Sequence, residues 1–272
     1  MKIRILKKSN DNLNVYTVKN SNISYEELEE LLNTYDKVII PQLDWEYEGI
    51  RSLPENFGNL EVEGNLNLRR NKLTSLPESF GNLKVEGNLQ LSFNQLTSLP
   101  ESFGNLKVGG NLYLGDNQLT SLPESFGNLK VKGHLFLTRN QLISLPESFG
   151  NLKIKGYLNL GDNKLTSLPE SFGNLEVGNS LYLDENKLTS LPESFGNLKV
   201  GGSLYLANNQ LTSLPESFAN IKVRDKLWLI YNPWTIDTNF VNFCEKYKGE
   251  LVLGDKLEEE IKRFIKLKEW EE

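Results

Sequence analysis

The dipeptide Leu-Pro recurs eight times at an interval of 23 residues, from Leu53-Pro54 to Leu214-Pro215. No other feature constrains the fold so strongly. A 23-residue unit cannot bury an apolar face alone, so such units must stack on one another around a continuous core. The consensus unit is GNLxLxxNxLTSLPESFGNLKVx, and about nine copies occupy residues 41–232. Residues 1–40 and 233–272 lie outside the period. A stack leaves its terminal cores open, so both flanks are expected to be caps.

Each column of the repeat carries its own physical demand. Leu83, Val85, Gly87, Leu89 and Leu91 alternate with polar residues at period two, the pattern of a strand. The Gly87 column (Gly64, Gly87, Gly110, Gly133, Gly156, Asn179, Gly202, Asp225) holds residues that tolerate left-handed backbone, so it reads as a corner with positive φ. That corner splits the strand into a convex piece, Leu83–Val85, and a concave piece, Asn88–Ser92. The segment around Leu99-Pro100 has Ser98 and Glu101 at capping-box spacing, with Gly104 placed to end a short helical or 3₁₀ turn. Phe57, Phe80 and their successors to Phe218 would form an aromatic spine. Asn71, Asn94 and their successors to Asn232 would satisfy backbone groups of the turn, since an amide both accepts and donates. Asn59, Asn82 and the rest of their column, to Asn220, are assigned similar work on the convex side.

The LxLxxNxL core, as in Leu89-Gln90-Leu91-Ser92-Phe93-Asn94-Gln95-Leu96, resembles the leucine-rich-repeat superfamily from about Leu66 to Asn232, with a divergent first copy at Leu43–Leu53. The Leu-Pro form looks most like repeats of bacteria and large DNA viruses. The resemblance implies an α/β solenoid: a right-handed curved coil with a parallel concave sheet, short convex strands, 3₁₀ or helical turns and a cap at each end. It also implies the asparagine ladder, and it places an effector module acting on host proteins among the expected roles.

The first copy has Glu48 in place of the ladder asparagine and Pro41 in place of the corner glycine, as suits a sealing unit. Before it, Lys2–Lys8 and Leu13–Val18 read as a hairpin, and Ser24 with Glu27 caps a helix to about Tyr35. After the last copy, Asn232-Pro233-Trp234-Thr235-Ile236-Asp237-Thr238 resembles the NPWxCDC start of the cysteine-rich cap of extracellular family members, with Ile236 and Thr238 at both cysteine positions. A helix over Thr238–Tyr247, a strand Glu250–Leu253 and a helix Asp255–Trp270 are expected to follow, the last facing inward with Leu257, Ile261, Phe264, Ile265 and Trp270.

Composition narrows the function classes. A net charge of −6 argues against nucleic acid, and no apolar run approaches a membrane span. The N-terminus lacks a secretory h-region and Cys244 is the only cysteine, so a monomer in a reducing cytoplasm, its own or a host's, is expected. No cofactor or metal motif is present. His134, the one histidine, has no paired nucleophile in view, so an enzyme would have to join it to the concave acids. Cys244 reads as a buried thiol. The expected protein is not an enzyme.

The better candidate site is the concave face. The outward position between the two strand leucines runs Asp44, Asn67, Gln90, Tyr113, Phe136, Asn159, Tyr182, Tyr205, Trp228. Strands about 4.8 Å apart bring neighbours in this column into contact. Tyr113, Phe136, Tyr182, Tyr205 and Trp228 are the candidate anchors, flanked by Phe93, His134, Tyr157 and Tyr231. Asp162 and Asp184 favour a basic segment in a protein or peptide partner. The same file suits a carbohydrate, and it could also be a self-stacking ladder. The near-identity of ESFGNL, including its exposed glutamates, reads as recent copying with no packing cause. On that reading the varied concave face is the part that diversified.

Overall fold

The computed structural model describes residues 13–19 and 22–271, with side chains as far as Lys268. Each unit makes one coil. A two-residue concave strand leads through the ladder asparagine to an extended Leu-Pro stretch, a 3₁₀ turn and a two-residue convex strand. The concave strands, from Leu43–Asp44 to Glu250–Val252, form one parallel sheet of ten in chain order. Its register joins residues 23 apart, Leu89 beside Leu112 and Gln90 beside Tyr113. The convex strands form two parallel sheets of six and four, divided between Lys130–Val131 and Lys153–Ile154. The α/β solenoid expected from the repeat is the fold observed.

The core is a stack of identical layers. Phe57 through Phe218 are fully buried, and successive rings lie 5.7–6.1 Å apart within 8° of parallel. The asparagine column is a hydrogen-bonded ladder. Asn94 Nδ2 donates to Leu68 O at 2.9 Å and Leu91 O at 3.0 Å, while its Oδ1 accepts the Leu73 N–H at 3.1 Å. Each such amide ties one coil to the one before it. A leucine there would leave the buried Leu73 N–H unpaired, while Leu68 O and Leu91 O would each keep one amide donor, from Asn71 and Asn117.

Positive φ falls elsewhere than the glycine corner. It recurs at the residue before each ladder position: Tyr47, Arg70, Phe93, Asp116, Arg139, Asp162, Glu185, Asn208 and Tyr231, with φ between 52° and 65°. The ladder bonds hold these non-glycine residues in a region they seldom occupy. The corner glycines instead answer to close approach. A Cβ on Gly87 would lie 2.6 Å from Gly64 O. Room between stacked corners, and not handedness, is what disfavours a side chain at these glycines, while the same column carries Asn179 and Asp225 nearer the C-terminal end.

The 3₁₀ turn also departs from expectation. It starts at Glu101 after an extended Pro100, takes no side-chain cap, and contains Gly104 inside it. Its constancy has a structural cause. Ser102 Oγ donates to Glu78 O, and the Glu78 carboxylate accepts the Ser102 N–H at 3.4 Å. The same carboxylate bond joins Glu147 to Ser171 and Glu170 to Ser194. A Cβ on Gly104 would sit 2.0 Å from Ser125 O of the next turn. The serine and glycine of the repeated ESFG therefore interlock neighbouring turns, and three of its glutamates join them, so part of its sameness has a packing cause. The asparagines from Asn82 to Asn220, by contrast, are exposed and make no side-chain hydrogen bond among the described residues, so they do not duplicate the ladder.

Both ends are closed by elements outside the period. The helix α1 (Tyr25–Thr34) has the capping box of Ser24 and Glu27 and buries Leu28 and Leu32. The strand Val15–Thr17 pairs in parallel with Lys37–Ile40 and extends the convex sheet. The hairpin partner expected at Lys2–Lys8 lies outside the described residues. At the other end, Trp234 is buried with Nε1 donating to Leu229 O at 2.8 Å. Asp237 caps α2 (Thr238–Lys246) by accepting the Phe240 N–H at 2.8 Å. Phe243 of α2 meets Phe218 edge-on at 5.2 Å and terminates the aromatic spine. Strand Glu250–Val252 closes the concave sheet, and α3 (Asp255–Glu271) buries Ile261. Leu257, Phe264 and Ile265 pack partly against the core, while the inward position expected for Trp270 lies outside the described side chains.

Candidate functional site

The pleat of the concave strands turns the residue between the two leucines outward, and the parallel register stacks these residues in a column. Tyr113 and Phe136 stack at 4.9 Å, Tyr182 and Tyr205 at 4.4 Å, and Tyr205 and Trp228 at 5.6 Å. Asn159 breaks the column. The rings bypass it through the residue two positions earlier: His134 lies edge-on to Phe136 at 5.8 Å, 4.7 Å from Tyr157, and Tyr157 lies 6.3 Å from Tyr182. Seven rings thus make one unbroken file across six repeats, all half-buried.

His134 has a defined backbone role as well. Its Nδ1 accepts the Tyr157 N–H at 2.8 Å. It thereby continues a second ladder in which Asn65 accepts from Asn88, Asn88 from Asn111, and Asn111 from His134. Tyr157 cannot accept in the same way, and a serine version resumes with Ser180 accepting from Ser203. The column Asn65, Asn88, Asn111, His134 shows in the sequence as three amides and an imidazole, all acceptors, and could have been found there.

The two remaining aromatics stand apart from the file. Phe93 lies under Arg69 at 4.7 Å and Arg70 at 5.4 Å, and both arginines pair with Glu46 at 3.0 and 3.7 Å. Tyr231 is 70% exposed and has no ring neighbour among the described residues. Between the file and the positive-φ rim runs a floor of small residues, with Ser92, Gly115, Gly161 and Ala207 buried. Near Phe93 this channel opens into a depression of about 330 Å³ reached by Arg69, Gln90, Tyr113, Asp116 and Thr138.

The acids divide into paired and unpaired. Arg139, which sequence reasoning passed over, lies 3.3 Å from Asp162 and 3.8 Å from Asp116. Asp184 has no such cation, and its Oδ1 is buried without a hydrogen-bond partner among the described residues. Burial raises its pKa above the ordinary aspartate value, its own backbone N–H opposes this, and Glu185 and Asp162 add to the rise. Trp228 Nε1, at the end of the file, is likewise buried and unpartnered. Among the described residues no group of three His, Cys, Asp or Glu is arranged to hold a metal, and no helix is long and apolar enough to cross a membrane.

Comparison with known proteins agrees with this architecture. The Leucine Rich Repeat family matches six stretches of the chain, residues 65–83, 88–106, 111–129, 157–175, 179–198 and 203–221. The chain belongs to the leucine-rich-repeat superfamily. No match was found among curated proteins. Among solved structures, it is similar to a leucine-rich-repeat protein of Leptospira interrogans at 24% identity, covering 88% of this chain and 90% of that one, with a TM-score of 0.31. It is also similar to the leucine-rich-repeat domain of a Shigella effector at 22% identity, covering 83% and 84%, with a TM-score of 0.48.

Proposed function

We propose that this chain is a non-catalytic scaffold that binds a protein or peptide along its concave face, with a basic residue of the partner meeting Asp184. The observation that carries this reading is the pair of polar atoms left without a partner beside the aromatic file, Asp184 Oδ1 and Trp228 Nε1. The other buried side-chain atoms without a partner among the described residues, Asn56 Oδ1, Ser217 Oγ and Tyr247 Oη, lie in the outer turns and the C-terminal cap and not on the concave face. An unpaired buried group costs roughly 1–3 kcal/mol. A ligand bearing a cation and an acceptor would satisfy both. The rings beside them are the side chains that commonly anchor interfaces.

Carbohydrate binding is the second reading, and the ring geometry disfavours it. Sugar stacks on an open aromatic face, whereas the Tyr182 and Tyr205 faces cover each other at 5° and 4.4 Å. A role as the repeat module of a bacterial or viral effector is the third, and no residue of the site bears on it.

The test is affinity purification from the native host with the wild-type chain, Asp184→Asn, and Tyr205→Ala combined with Trp228→Ala. Circular dichroism must first show all three folded at the temperature used, because removing stacked rings lowers stability. The reading expects one set of proteins retained by the wild type and lost from both variants. Retention by both variants overturns it.

A further inference from the structure

The convex face carries a second unsatisfied pattern, of opposite sign. Two outward columns run along it. The first is Glu61, Lys84, Lys107, Lys130, Lys153, Glu176, Lys199, Lys222, and the second is Glu63, Glu86, Gly109, Lys132, Lys155, Gly178, Gly201, Arg224. Toward the N-terminus the charges are neutralised: Lys84 pairs with Glu61 at 2.9 Å and Glu86 at 2.7 Å, and Lys37 also pairs with Glu61. Lys199 pairs with Glu176 at 3.0 Å. Between these, Lys107, Lys130, Lys132, Lys153 and Lys155 are all exposed. Among the described residues none of them is within ion-pair distance of a carboxylate, although Glu176 lies opposite Lys153 in the register and Glu176 and Glu86 feel the charges of Lys153 and Lys132.

The backbone ladder is interrupted within this band. Along the second column the backbone N–H donates to the strand before it at every residue but Lys155, at 3.0 Å from Glu63, 2.9 Å from Glu86 and 2.8 Å from Gly109. The bond is 3.1 Å at Lys132, missing at Lys155, 2.8 Å at Gly178 and Gly201, and 3.2 Å at Arg224, so the lysine band is marked by the missing bond and not by lengthening. The gap falls where Lys130 and Lys132 face Lys153 and Lys155, and it divides the convex sheet into six and four strands. Side-chain bulk alone does not explain it, since Glu86 stands beside Glu63 and keeps its bond, with Lys84 between their charges. Like charges directly opposite one another destabilise a sheet, yet Lys84 and Lys107, Lys107 and Lys130, and Lys199 and Lys222 lie opposite with the ladder kept. The broken step is the one where both columns set lysine against lysine.

We propose that this lysine band is a docking site for an acidic peptide segment, independent of the concave face. The band is two residues wide and spans three strands, about 10 Å at sheet spacing. It is bordered by the exposed glutamates of the 3₁₀ turns, Glu101, Glu124 and Glu147. A bilayer or a duplex would bring those glutamates against its own negative charge, whereas one extended chain of a few acidic residues lies along the lysines alone. Lysine presents a point charge without the planar fork of arginine, which suits carboxylates met in several geometries.

The probe is a fluorescein-labelled hexaglutamate peptide titrated into the full chain and followed by anisotropy. Two variants accompany it: Lys132→Glu with Lys155→Glu, and Lys132→Gly with Lys155→Gly, the latter copying the residue already present in neighbouring repeats. The proposal expects saturable binding that weakens with salt as exposed charges are screened, falls at least about tenfold in the glutamate variant, and is unchanged by Tyr205→Ala with Trp228→Ala. It also expects the glycine variant to slow amide exchange at residue 155, as the missing bond forms. Absence of saturable binding, equal binding by the glutamate variant, or preference for phosphatidylserine vesicles or duplex DNA over the peptide overturns it.

Discussion

The His134 imidazole accepts the Tyr157 N–H through Nδ1 at 2.8 Å, and the two rings lie 4.7 Å apart. One side chain thus fills a rung of the backbone ladder and carries the aromatic file past Asn159. The two roles can be separated. His134→Asn restores the acceptor found at Asn111 while removing the ring, and His134→Ala removes both. Thermal or denaturant unfolding should show His134→Ala destabilised by about 1 kcal/mol and His134→Asn close to the wild type. Equal destabilisation of both would show that ring contact, and not the ladder bond, is what the fold needs.

Gly127 and Ala219 occupy the same column of the repeat with opposite tolerance. A Cβ on Gly127 would lie 1.9 Å from Ser148 O, so Gly127→Ala forces two 3₁₀ turns apart and should cost about 3 kcal/mol, the upper range for overpacking. Ala219 lies in the last turn, where no further repeat follows, and its side chain is exposed. Ala219→Gly should change stability by less than about 1 kcal/mol. Urea unfolding of the two variants measures both.

Asp184 gives a pH dependence of defined sign. Its folded pKa is raised, chiefly by burial, so the folded state holds a proton more tightly than the unfolded chain does. Stability from this group is therefore fully present below the ordinary aspartate pKa and is lost as pH rises through the raised value. Asp184→Asn should melt higher than the wild type at pH 7, and the two melting temperatures should converge as the pH falls toward 4. A wild type that is the more stable at pH 7 would mean that the carboxylate has a compensating partner.

Cys244 lies on α2 with its thiol pushed up to about 12, first by burial and then by Glu245, against the pull of a backbone bond. Relative to its ordinary value of 9.0 this leaves roughly a thousandfold less thiolate at pH 8. Iodoacetamide should label the native chain far more slowly than the urea-unfolded chain, with mass spectrometry following the adduct. Labelling at equal rates would place the thiol in solvent.

Much of the solenoid was legible because a 23-residue period forces the same environment on residues in one column. Leu89, Phe103 and Asn94 each announce a role by recurring with one chemistry. The aromatic file was legible in part. Its members Tyr182, Tyr205 and Trp228 stand at strand spacing, but the detour through His134 and Tyr157 depends on rings meeting across columns. The rim arginine, Arg139, was missed because its column also holds Phe93, Asp162 and Asn208, with no shared chemistry to mark it.

The sequence by itself determined the period, the core leucines and phenylalanines, the ladder asparagines and the outward column, because periodicity and side-chain chemistry suffice for these. Tertiary structure alone decided why the glycines are glycines, where the backbone turns left-handed, which acid is left without a cation, and where the convex ladder opens. Those properties are distances between residues 23 positions apart. A single unit read along the chain does not contain the coil that will lie against it.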